Sequence, residues 1–239
     1  MLRGRNMEMV FCLGAALVIS ACVIYHESSR NRSRKEFIQN FMPPPELLGV
    51  LRARHPHLST ADSETVVRGL RQFFLAHHER RTYFLAMPSQ VADDLWHEMI
   101  LSTRLYEQFC RRAFGKTLHH TPVHAADAGP KTQKGLRRTW KLVCEQERIN
   151  PKKPSRLPLL FALDGTLKIK NGFVYLPDCG ETMRQVAALR AGGTTGVYWA
   201  ADLGLDSVTA DDWSGNDCGG GVDCGAGCGG GCGGGCGGD

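Results

Sequence analysis

The sequence predicts a mainly α-helical domain with one small β-hairpin, an N-terminal transmembrane helix and a disordered, Gly/Cys-rich C-terminal tail. Three observations carry this. Residues 9–25 are apolar and free of charge. Between residues 46 and 147, apolar side chains recur every three to four positions, the period of a helix with one buried face. Residues 201–239 hold seven Asp and no Lys, Arg or Glu, and 14 of the 28 Gly and five of the ten Cys fall between Gly215 and Asp239. The 29 basic groups therefore face only 17 acidic ones over residues 1–200. A chain of 239 residues, 42% hydrophobic, can bury one ordinary core. Its composition excludes a collagen-like chain, a wholly disordered one and a short disulfide scaffold.

The order along the chain follows. Residues 1–8 flank the apolar run Met9–Tyr25, which at 1.5 Å per residue reaches roughly 26 Å, close to the minimum for a bilayer core. Arg30, Arg32, Arg34 and Lys35 follow it, and that excess favours a cytoplasmic C-terminal side at an inner or plasma membrane. An alternative is a lipoprotein signal, since Ile19-Ser20-Ala21-Cys22 resembles a bacterial cleavage box that would leave a lipidated Cys22. Residues 26–45 read as a basic, proline-ended linker, residues 46–200 as the helical domain and residues 201–239 as the tail. Cys110, Cys144 and Cys179 stand singly, as reduced buried thiols do in a cytosolic domain.

Within the domain, Pro43-Pro44-Pro45 opens a helix over Glu46–Arg54. A second helix is expected over Ala61–His78, with Val66, Leu70, Phe73 and Phe74 inward. Ser89 as N-cap and Gly115 as terminator frame one long helix, whose wall is Ala92, Trp96, Met99, Thr103, Tyr106, Cys110 and Ala113. A fourth helix is expected over Thr132–Glu147, burying Leu136, Trp140, Val143 and Cys144. The apolar run Leu157–Leu163, then Asp164-Gly165, Leu167–Lys170, Asn171-Gly172 and Phe173–Leu176, predicts small strands joined by turns. Glu181–Ala191 reads as a last short helix and Thr194–Ala200 as irregular.

The candidate chemistry gathers on Asp93, His97, Cys110, His119 and His120. Asp93 and His97 are i,i+4, so a carboxylate can hydrogen-bond an imidazole, the usual support of a metal ligand or a general base. On one straight helix His97 and Cys110 lie roughly 20 Å apart and cannot share a metal. A zinc site therefore needs His97 with a returning His119 or His120, or Cys110 with those histidines and an outside ligand such as Cys144 or Cys179. The chain has no CxxC pair in the body and no HExxH. The competing reading is a buried Asp93–His97 pair that locks the helix in place.

Other segments are less specific. Phe161–Leu167 resembles the first motif of haloacid-dehalogenase-type phosphatases, but Ala162 stands where their nucleophilic Asp belongs and forms no aspartyl-phosphate. Lys131, Lys134, Arg137, Arg138, Lys141, Arg148, Lys152, Lys153 and Arg156 form a basic stretch suited to solvent or to anionic lipid. No recognition-helix or aromatic-strand signature accompanies it, so nucleic acid is not expected. The tail thiols Cys218, Cys224, Cys228, Cys232 and Cys236 sit among glycines that oppose a helix, as on a flexible leash. Soft-metal capture, redox cross-linking and heterocycle formation are its chemical options.

Asp93, Trp96, His97, Tyr106, Phe109, Cys110, Gly115, His119, His120 and Pro122 together resemble the pattern of the bacterial glycine-rich domain-containing proteins, which are distantly similar to plant glycine-rich-domain proteins. That pattern is a Val-Asp-x-x-Trp-His helix, a Tyr-x-x-Phe/Asp-Cys step, a Gly and a His-His-x-Pro end. The resemblance covers about residues 85–180 and the tail. Ala92 departs from the usual Val, and Met99 stands where plant members carry a second His. The resemblance implies no established enzymatic activity. The expectation is thus a membrane-anchored, non-enzymatic scaffold or interaction module with an unknown protein partner and anionic lipid at its basic flank. The alternative is a metal-binding protein or metalloenzyme using His97, His119 and His120.

Overall fold

The computed structural model describes residues 2–80, 83–120, 130–176 and 197–199. Among them the fold is mainly helical: α1 (Leu2–Asn40), α2 (Pro45–Arg54), α3 (Thr60–Glu79), α4 (Gln90–Leu101), α5 (Thr103–Ala113), α6 (Pro130–Gln146) and α7 (Leu159–Thr166), with strands β1 (Val174–Leu176) and β2 (Val197–Trp199). The acidic Gly/Cys tail, with its five thiols, and the expected helix Glu181–Ala191 lie outside the described residues.

α1 carries the first difference from expectation. The segment 26–45, expected as a linker, continues the helix to Asn40 and docks it. Ile38 is fully buried, and the Phe41 ring lies 4.4 Å from that of Phe109. The apolar side chains at this end have partners, so helix formation is coupled to tertiary packing. At the other end Leu17, Val18, Ile19, Val23, Ile24 and Tyr25 are each more than half exposed. Among the described residues no helix is long and apolar enough to cross a membrane. Most of the apolar run before Leu17 lies among side chains that are not described.

α3 is the central element. Its start is a reciprocal capping box between Ser59 and Asp62, and its inner face buries Val66, Leu70, Phe73 and Phe74. Phe74 meets Trp96 of α4, and Phe109 and Phe114 at α5, with ring centroids 4.8–6.1 Å apart. Gly69 lies against Leu163 and Leu160, where an added Cβ would reach 2.5 Å from Leu163 Cδ1. The missing side chain lets Leu163 of α7 seat directly on α3.

The single long helix expected from Ser89 to Gly115 is broken at Ser102, whose ψ of 65° leaves the helical region. Ser and Thr compete for the backbone and favour such junctions. The break has a packing reason. α5 turns away to bury Tyr106, Phe109 and Cys110, while Thr103, expected in the continuous wall, becomes its exposed first residue.

The expected hairpin is not formed. Leu159–Thr166 is a helix, and β1 pairs in parallel with β2, Val174 opposite Val197. Seven continuous apolar residues fit a buried strand or a short buried helix equally, and periodicity does not separate them. Here the first-turn donors decide. Leu159 N donates to Glu147 Oε1 at 2.6 Å and Leu160 N to Gln72 Oε1 at 3.1 Å, so groups that a helix start leaves unpaired are satisfied. β2 also falls within Thr194–Ala200, expected to be irregular.

Candidate functional site: a carboxylate and two histidines

The site begins at the first turn of α4. Ser89 Oγ caps that turn by accepting from Ala92 N at 3.2 Å. Behind it sits Asp164, 2% exposed, whose carboxylate accepts four hydrogen bonds. Its Oδ1 takes Ser89 Oγ at 2.7 Å and Val91 N at 3.2 Å, and its Oδ2 takes Gln90 N at 2.7 Å and Phe173 N at 2.9 Å. Burial pushes this carboxyl upward, against the pull of the four donors. Asp164, expected in a strand turn, is instead the anchor that fixes α4 on α7. It is enclosed, with both carboxylate oxygens engaged by donors of its own domain.

Asp93 lies on this fixed turn, half-buried, and His97 one turn further on, exposed. The hydrogen-bond partner of Asp93 is not His97, as the spacing suggested, but His120. His120 Nε2 lies 2.8 Å from Asp93 Oδ1. The His120 ring also stands edge-on to Trp96, 4.4 Å between centroids, and 5.2 Å from that of His97. One ligand atom from each of Asp93, His97 and His120 lies within 4.8 Å of the others.

The rest of the motif brings His120 there. Gly115 has φ 75°, a conformation that suits glycine, and ends α5 with its N–H shared between Cys110 O and Arg111 O. The returning chain is then pinned at Leu118. Trp96 Nε1 donates to Tyr106 Oη at 3.1 Å, and Tyr106 Oη donates to Leu118 O at 2.5 Å. The Leu118 N–H bonds the Cys110 thiol. Burial holds both the Tyr106 hydroxyl and the Cys110 thiol above their ordinary ranges, so both stay neutral. Cys110 is thus a pin and not a ligand of this cluster. His119 points outward and is also outside it. Trp96, Tyr106, Cys110 and Gly115 act through His120.

Spacing gave no sign of a neighbouring network. Asp94 Oδ2 lies 2.8 Å from His55 Nε2, while Arg54 reaches Asp94 Oδ1 at 3.2 Å and Glu98 Oε1 at 2.6 Å. These partners lie 39 to 44 residues apart in sequence. Adjacent carboxylates on α4 therefore each hold a histidine, one from α2 and one from the return after α5. Part of the basic stretch packs on its own domain: Lys131 over Phe84, Arg138 over Tyr83 and Arg156 on Glu147.

The arrangement can do one thing chemically at once. Two imidazoles and a carboxylate are the donor set of transition-metal sites that keep open positions. Tetrahedral zinc at bonds of about 2.0–2.1 Å separates its ligands by about 3.3 Å. The 2.8 Å Asp93–His120 approach and the 4.8 Å limit bracket that value.

Fold and site together define a helical domain with a carboxylate–histidine cluster built from the first turns of α4 and the chain returning after α5. The chain belongs to the UCP032817-like family, whose model matches residues 33–202. No curated protein and no solved structure matches it.

Proposed function

We propose that the protein is a membrane-tethered helical module that binds one divalent transition-metal ion, zinc being the natural candidate, through Asp93, His97 and His120. The observation that carries this is the convergence of three ligand atoms within 4.8 Å. The metal takes the place of the direct Asp93–His120 hydrogen bond, and because metal ligands bind in their deprotonated forms the affinity weakens as pH falls. A coordination position remains for water or a partner's ligand. A specific observation also favours a second reading, a metal-free scaffold. The Asp93–His120 hydrogen bond, with the Trp96–Tyr106–Leu118 chain, closes the return onto α4 without any metal.

The tether rests on α1. Leu17, Val18 and Ile19 are successive and each more than 60% exposed, so they point to different sides of one helix. A helix that is apolar on all sides suits lipid, whereas a protein partner covers one face. Arg30, Arg32, Arg34 and Lys35 then favour a cytoplasmic domain, and a lipidated Cys22 is the alternative anchor.

Elemental analysis of the full-length protein tests the metal. The expected result is one equivalent of metal, lost in His97→Ala, whose melting curve matches that of the metal-stripped wild type because His97 is exposed. Absence of metal after growth with zinc, iron or manganese, with the melt altered only by His120→Ala, supports the scaffold instead.

A further inference from the structure

α2 and α4 share one outer face, which turns apolar beyond its ion pairs. Arg54 at the end of α2 meets Asp94 and Glu98, while Met42, just before α2, lines a groove with Leu105 and Phe109 of α5. α2 therefore runs antiparallel to α4. Val50 lies one turn before Arg54, and Leu101 three residues after Glu98, so both fall on the side of these ion pairs. Val50 is 43% exposed, Leu101 66% and Met42 52%. Met42 leads into the groove, which has a volume of about 550 Å³ and carries Phe37 and Phe41 on its α1 wall. An exposed apolar surface rimmed by charge marks a contact with another molecule.

The charges at one end of this face select the occupant. Glu46 lies one turn before Val50 on α2, and Arg104 three residues beyond Leu101 at the start of α5. Both are exposed, and among the described residues neither is in an ion pair. Arg104 stands in the first turn of α5, at the positive end of that helix's dipole, and no acidic side chain shares the turn. Its own helix gains nothing from a base there, so the charge is suited to an acid from outside the chain. One unpaired acid on α2 and one unpaired base on α5 make the face complementary to itself. We propose that this face is the contact between two copies of the chain. A two-fold axis along α2 lays Val50 of each copy on Leu101 of the other and sets Glu46 opposite Arg104, twice over. The apolar centre supplies the attraction, and the two charge pairs fix the register. The contact depends on neither the metal nor the tether.

The test is the association state of the full-length protein in detergent, read by sedimentation over a dilution series. The expected result is a monomer–dimer equilibrium. Leu101→Asp should abolish the dimer and keep the helical circular dichroism, because Leu101 is mostly exposed in the single chain. Glu46→Arg and Arg104→Glu should each weaken the dimer by roughly tenfold or more, since each turns two attractions into repulsions. The variant carrying both exchanges should recover wild-type association. Arg104→Glu also separates assembly from folding. It puts an acid at the positive end of α5, so the chain, melted at a dilution where the wild type is monomeric, should gain stability while the dimer weakens. A monomer at every concentration overturns the proposal, as does failure of the double exchange to restore the dimer. A dimer that persists in Leu101→Asp is held elsewhere, as by the apolar part of α1, and overturns it too. Another protein that co-purifies with a monomeric chain, and is lost in Leu101→Asp, assigns the face to that partner and equally overturns it.

Discussion

A carboxylate accepts on both of its oxygens, and at Asp164 all four available hydrogen bonds are made. An amide at the same place accepts on one oxygen and, in either orientation, turns its NH₂ toward at least one backbone N–H donor. Asp164→Asn is therefore expected to cost nearly as much as Asp164→Ala, about 2–4 kcal/mol, because either leaves buried donors unpaired. Urea denaturation of the two variants checks this; a near-neutral Asn variant would refute it. Gly115→Ala puts a Cβ on a positive φ against Arg34, at a cost of about 1–2 kcal/mol. It should also lower metal affinity, since Gly115 sets the path to His120. His77 offers a pH test. It is largely buried against Phe73, its Nε2 has no hydrogen-bond partner, and burial pushes its pKa down to about 4. The unfolded chain binds a proton near pH 6.5 that the native protein refuses. The stability present above that pH is lost as pH falls toward 4, on the order of 2–3 kcal/mol. In metal-free protein, His77→Leu should flatten that loss in pH-dependent melting. At this scale the sequence was partly legible. Asp93, His97, Cys110, His119 and His120 were visible together, with Asp93 read as the support of His97 rather than as a ligand, because helical spacing and a returning His-His pair are local facts. The pairing of Asp93 with His120, and the role of Asp164, depend on contacts across 27 and about 75 residues, which no spacing rule reaches.

Among the elements, α2, α3 and α6 follow the sequence to within about two residues, because each has a one-sided apolar stripe and a start signal. α4 and α5 do not. Their stripes are continuous in sequence, and only the need to bury Phe109 against α1 separates them. The break is testable. Ser102→Ala removes a residue that competes for the backbone, yet α5 stays turned by its own buried face. A change within about 0.5 kcal/mol is expected. A stabilisation well above 1 kcal/mol would mean that the break is strained. α7 escaped because an apolar run carries no period, and its helix depends on Gln72 and Glu147, which belong to α3 and to the chain just after α6.

Over the whole molecule, the composition gradient separates a basic body from an acidic tail, and the family match of residues 33–202 falls on the body. The proposed tether adds a prediction on this scale. Val18→Arg with Ile19→Arg places two charges in the apolar run at about 2.5–3.5 kcal/mol each. The full-length protein should then move from the membrane pellet to the supernatant after carbonate extraction, its metal content unchanged. Retention in the pellet would refute the tether. The helix that enters the lipid in this reading is also the helix whose Ile38 is buried in the domain, with no joint between them. From Tyr25 to Ile38 is about 20 Å of helix. A tilt of about 20°, ordinary for a span matching itself to its bilayer, shifts Ile38 sideways by about 7 Å. The domain then leans with the helix, so bilayer thickness sets which face of the domain is turned toward the lipid surface.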